Sequence, residues 1–235
     1  MEWVRRLLFS AIAAGVIAGA LTSLVHHFTT VPLILRAEQY EARASLQHPA
    51  STAAAHETPT WVPVGWARTL ATTTAEILTG IGFGLVLVAW WSLIETPITW
   101  RRGCAWGVAG FAAVMVAPSL GLPPELPGTQ SAALHDRQLW WVFTVVCSAS
   151  GLATIAFTQR IGLRLLGAGL LLLPQVAGAP QPRLAQSLAP EALMQQFTWA
   201  VLSSSLCFWL LLGAIAGGCF NYFGAVARVP DRVSP

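Results

Sequence analysis

The charged residues of this chain avoid six long apolar stretches. Leu7 to Val25, Ile77 to Ile94, Cys104 to Leu122, Leu139 to Phe157, Ile161 to Ala179 and Phe197 to Phe220 hold a single charge, Arg164, although they make up about half of the 235 residues. Each approaches the roughly 20 apolar residues that an α-helix needs to cross a bilayer. In hydrocarbon every backbone N–H and C=O must be paired within the segment or within a closed barrel, and runs this long without period-2 alternation read as helices. The expected fold is therefore an all-α integral membrane protein. It is read as one membrane domain, 1–235, built as a bundle of six transmembrane helices at about 7–25, 77–94, 104–122, 139–157, 161–179 and 197–220, with a long external loop at 26–76. The count falls to five if Arg164 and Pro174 keep the fifth run out of the membrane; an arginine four residues inside a helix end can instead snorkel to the interface.

Composition narrows the functional classes. Only 10% of residues are charged and 55% are apolar, against roughly 25% charged in soluble domains. All 13 basic residues are arginine, which excludes the lysine-dependent P-loop and Schiff-base chemistries. A net charge of +3, scattered along the chain, predicts no nucleic-acid partner. Four cysteines without CxxC spacing, at Cys104, Cys147, Cys207 and Cys219, read as small packing residues rather than a zinc site or disulfide framework. There is no HExxH, no GxSxG and no phosphate-binding glycine loop, and the window Cys147 to Gly151 lacks the features of a nucleophile turn. The chain is not expected to be an enzyme.

Arginine placement orients the bundle, since cytoplasmic flanks are enriched in arginine. With the N-terminus inside, Arg5, Arg6, Arg101, Arg102, Arg160, Arg228 and Arg232 cluster in short inner segments, with Arg164 snorkelling the same way. Arg36, Arg43, Arg68, Arg137 and Arg183 are spread over longer outer segments. Both termini then lie in the cytoplasm, which requires an even number of spans. The first run exceeds the roughly 7–15-residue core of a cleaved signal peptide and is read as a retained helix. Glycine pairs at four-residue spacing, Gly15 and Gly19, Gly80 and Gly84, Gly103 and Gly107, Gly213 and Gly217, read as packing seams between helices. Trp3, Trp61, Trp66, Trp100, Trp140, Trp141 and Trp199 fall near run boundaries, as interfacial aromatic residues do.

In that topology every histidine is external: His26 and His27 where the first helix emerges, His48 and His56 around the linker-like Pro49 to Ala55, and His135 ahead of the fourth run. Glu125 and Asp136 share that side. Imidazoles mixed with carboxylates suit first-row dications, so His26, His27, His135, Glu125 and Asp136 are the candidate metal-entry residues. Histidines one residue apart diverge by about 100° on a helix, so His26 and His27 alone do not make a chelate. Pro32 and the helical spacing of Leu33, Ile34, Ala37, Tyr40 and Glu41 predict a short interfacial helix in the first loop. The string Leu122-Pro123-Pro124-Glu125-Leu126-Pro127-Gly128 predicts a rigid extended turn that holds its carboxylate in a defined place.

Several strings resemble a known family. Val31-Pro32-Leu33-Ile34-Leu35 with Glu38, Tyr40 and Glu41; Arg68-Thr69-Leu70; Leu78-Thr79-Gly80-Ile81-Gly82-Phe83; Trp106-Gly107-Val108-Ala109-Gly110-Phe111; the run Ala117 to Gly128; Arg137-Gln138-Leu139-Trp140-Trp141; Leu172-Leu173-Pro174; and Gly178-Ala179-Pro180-Gln181-Pro182 follow in order those of the predicted cobalt transporter subunit family CbtA. The resemblance implies a multi-pass protein of a bacterial inner membrane linked to cobalt uptake for cobalamin synthesis, with lipid, a divalent metal ion and the small single-span subunit CbtB as partners, and a larger complex or oligomer. Cobalt is then cargo, and no cofactor is implied. This chain carries Leu173-Pro174-Gln175 where the family pattern has Leu-Pro-His, and the family is usually described with five spans rather than six. No ATP site is needed for uptake: a dication entering down about 100 mV gains roughly 4.6 kcal/mol, enough for about 10³-fold accumulation. The rival expectation is a non-transporting scaffold or accessory subunit of a larger membrane complex, favoured by the scarcity of polar groups inside the runs.

Overall fold

A computed structural model describes residues 2–47, 65–93, 98–182 and 187–226. The linker Pro49 to Ala55, His48, His56, Trp61, Arg183, Arg228 and Arg232 lie outside these residues. The described chain is helical throughout apart from its connections, with no strand and one isolated bridge between Thr129 and Ser187. Among the described residues seven helices follow in order: α1 Glu2–Phe28, α2 Thr30–Gln47, α3 Trp66–Ser92, α4 Trp100–Phe111, α5 Leu134–Phe157, α6 Ile161–Ala177 and α7 Glu191–Val226. Beyond Phe111, α4 continues through a π-helical stretch, Ala112–Val116, and a last turn, Ala117–Ser119.

Among the described residues four helices are long and apolar enough to cross a membrane: Val4–Phe28, Trp66–Ser92, Leu134–Phe157 and Glu191–Phe223. The other two apolar runs are also helical. However, α6 has 17 residues, about 26 Å at 1.5 Å per residue, and the run at 104–122 is interrupted by the π segment. The helices run past the expected boundaries at several ends, and two of these bear on the topology. Residues 66–76, read as external loop, are helical and extend α3, and α7 starts at Glu191 rather than Phe197. Hydropathy marks where a helix meets hydrocarbon, whereas the hydrogen-bonded coil runs on past that plane.

The packing falls into two compact units. The first comprises residues 1–25, 62–108 and 204–235. Its first helix packs with small residues inside and large ones outside: Ala11, Ala14 and Ala18 of α1 are fully buried, while Phe9, Ile12, Val16 and Ile17 of the same helix are exposed. That reverses the pattern of a soluble core and suits lipid on the outside. The predicted seams are real. A Cβ on Gly80 would lie 2.7 Å from the Gly15 carbonyl oxygen, and one on Gly19 would lie 2.7 Å from that of Glu76, so α1 and α3 meet backbone to backbone. Gly103 and Gly107 of α4 meet Gly213 and Trp209 of α7 in the same way. Arg6 donates from Nε to the Phe220 carbonyl at 2.7 Å and stacks its guanidinium 3.8 Å from the Phe220 ring centroid.

The second unit comprises residues 26–61 and 109–203. Here α5 and α6 form an antiparallel pair pinned at Gly151 and Gly167, where a Cβ on either would come within 2.8 Å of the other's carbonyl oxygen. The helix expected in the first loop is present as α2, longer than its first apolar residues suggested. Pro32 sits in its first turn, where a missing N–H costs nothing. Its Ala37, with Leu33 and Ile34, packs against Leu126 and against Ala189, Leu193 and Phe197 around the start of α7. Arg164 turns back from the first turn of α6 to donate to the Thr158 carbonyl at 2.9 Å and the Gln159 side chain at 3.0 Å. Of the tryptophans, Trp66, Trp100 and Trp199 are exposed as interfacial residues should be, but Trp140 is buried, with its ring lying where a Cβ on Gly121 would go.

Candidate metal-entry site

Pro118 organises the surroundings of Glu125. Proline has no N–H for the carbonyl four residues back and its ring crowds that carbonyl. The helix widens just before it, and the Ala117 N–H reaches back five residues to Ala112. After the widened turn the Gly121 N–H bonds to Pro118 rather than to Ala117. The Ala117 carbonyl is taken instead by the Gln175 side-chain amide of α6, at 2.9 Å. Gln175 is thus a strut between α6 and the end of α4.

The proline-rich string then leaves the helix as the expected rigid turn. Leu126 is buried, Gly128 takes φ +77°, a conformation suited to glycine, and Leu188 donates to the Gly128 carbonyl at 3.4 Å. Leu126, anchored beside Glu125, holds the carboxylate at the start of α5. There Arg137 Nη2 lies 2.9 Å from Glu125 Oε2, and the Ser131 hydroxyl donates to the same oxygen. Both side chains of the ion pair are about a quarter exposed. They line a cavity of about 670 Å³ whose wall includes Met115 of the π segment, Ser119, Gln138 and Trp141.

His135 and Asp136 are exposed in the first turn of α5. A carboxylate there is favoured by the helix dipole. Successive residues fan out by about 100° around a helix, so Asp136 faces a different depression, one formed with Trp140 and residues 177–180. His26 and His27 occupy the last turn of α1. The His26 carbonyl accepts from the Thr30 hydroxyl at 3.2 Å, and the exposed His27 ring meets Phe28 edge-on at 5.3 Å between centroids. Among the described residues no three His, Cys, Asp or Glu side chains gather as a metal centre, so the five candidates do not form a closed chelate. Arg137 is the partner that sequence reading counted only as an outer charge, because nothing in linear spacing pairs it with Glu125.

The cysteines fit their expected packing role in part. Cys147 is buried, Cys104 and Cys219 are half-buried, Cys207 is exposed, and all four are free thiols. Ser148 is buried and presents no accessible nucleophile.

A family model described as probable cobalt transporter subunit matches residues 4–221, nearly the whole chain. Comparison with curated proteins and with solved structures gives no match.

Proposed function

The chain belongs to the CbtA family of probable cobalt transporter subunits, and from that premise we propose that it is a multi-pass component of divalent-metal uptake in a bacterial inner membrane, with Co²⁺ as cargo for cobalamin synthesis. The observation that carries the proposal is a family match along 4–221 on a chain with four membrane-length apolar helices. The proposed topology makes α6 and the π-interrupted α4 the fifth and sixth spans of one membrane domain, with both termini cytoplasmic. His26, His27, His135, Glu125 and Asp136 then attract the ion on the external face. They do so without a preformed cage, which suits a site that must release its ion inward. The small single-span CbtB subunit is the proposed partner, and no catalytic step is assigned.

Reconstitution tests this directly. Vesicles holding the purified chain and an internal Co²⁺-sensitive dye should show influx driven by an inside-negative potential, with the small subunit absent or added. Influx in neither case would overturn transport and favour the scaffold reading, which the backbone-to-backbone glycine seams and the absence of a gathered metal centre among the described residues support. Replacing all five candidate side chains with alanine should reduce cellular Co²⁺ uptake by about tenfold or more; unchanged uptake would overturn the entry site.

A further inference from the structure

We propose that Arg137 is a resident counter-cation for Glu125, which an incoming divalent ion has to displace. The inference rests on the cation-uptake reading and names the selective element of its entry site. A lone carboxylate in a groove walled by Trp141 and proline rings is costly to hold ionised and attracts any cation; the guanidinium neutralises it in the resting state. The pair is built loosely. Arg137 and Ser131 both meet Glu125 at Oε2, and Arg137 Nε is buried without a hydrogen-bond partner. A purely structural arginine would engage the carboxylate with both prongs of its fork.

The charge on the competitor sets the selectivity. At equal distance a dication is attracted twice as strongly as a monovalent ion, so Na⁺ and K⁺ cannot evict the guanidinium while Co²⁺ can. Once Arg137 swings away, the groove offers the carboxylate together with Met115, Ser119 and Gln138 on its wall, a mixed oxygen and sulfur set of the kind first-row dications accept.

The test measures Co²⁺ binding to the full-length chain in lipid nanodiscs by calorimetry, with and without about 100 mM Na⁺. Arg137→Gln should tighten Co²⁺ binding about five- to tenfold, because the competing pair is gone, and should make binding sensitive to Na⁺. Glu125→Gln, and the double variant Glu125→Gln with Arg137→Gln, should bind Co²⁺ at least tenfold more weakly than Arg137→Gln. Unchanged or weaker binding in Arg137→Gln, or equal binding in the double variant, overturns the proposal. If Arg137→Gln does not fold, Arg137→Met, which keeps the stem without the charge, decides: tighter binding that depends on Glu125 supports the counter-cation, and unchanged or weaker binding overturns it. Wild-type influx unaltered by both substitutions would sink this role and leave transport standing. Tighter Co²⁺ binding in Arg137→Gln with no wild-type influx would do the reverse.

Discussion

Gln175 illustrates how one side chain can be misjudged from its chemistry alone. As a would-be ligand it offers an amide oxygen in place of an imidazole; in the fold its amide N–H₂ closes the Ala117 carbonyl, left open where the Gly121 N–H turns to Pro118 at the end of the helix. Removing that bond leaves a half-buried carbonyl without a donor, a loss of about 1 kcal/mol. Gln175→Leu should therefore lower the melting temperature in detergent by about 2–4 °C, while Gln175→His, which keeps a ring N–H donor, should melt close to the wild type. Equal melting of wild type and Gln175→Leu would show that the contact contributes nothing. Glu125 is the complementary case. The prolines around it were legible as a rigid holder, but its ion pair with Arg137 was not, because the pairing depends on which way the first turn of α5 faces.

The helices themselves were the most legible level, and the reason is physical. A bilayer imposes the same demand on every span, so length and freedom from charge suffice to find it. The glycine pairs were legible for a similar reason, since close backbone approach tolerates almost nothing else. What escaped was the interruption near Pro118, where a single missing N–H turns a uniform run into α, π and α pieces, and the helical extension at 66–76, which is not marked by hydropathy. The seams give a sharp contrast between glycines of equal sequence appearance. Gly103→Val places side-chain atoms on the Gly213 carbonyl and should cost about 2–3 kcal/mol through overpacking. A Cβ on Gly169, inside α6, meets nothing within 4 Å, so Gly169→Ala should stabilise by about 0.5–1 kcal/mol through helix propensity. Urea or thermal unfolding in a mild detergent measures both; a harmless Gly103→Val would mean that α4 and α7 do not depend on backbone contact.

For the molecule as a whole, sidedness decides whether the chemistry assigned to its surface is physically coherent. Membrane insertion favours arginine in short cytoplasmic flanks; the proposed topology puts Arg5, Arg6, Arg101, Arg102 and Arg160 on such flanks, and Glu125, on the connection that leads into α5, with His135 and Asp136, in the first turn of α5, on the opposite face. Uptake of a dication is driven by an inside-negative potential, so its ligands are useful at the entrance only if that connection faces outward. The expectation is specific. In a variant with its four cysteines replaced, a cysteine at position 135 should react with a membrane-impermeant maleimide in intact cells, and one at position 102 should react only after the membrane is opened. The exposed positions of both residues make poor labelling informative about the membrane rather than about burial. The opposite pattern would turn the carboxylate and imidazole surface toward the cytoplasm, where the same residues would suit receipt or export of the ion, and the influx driven by membrane potential would lose its entrance.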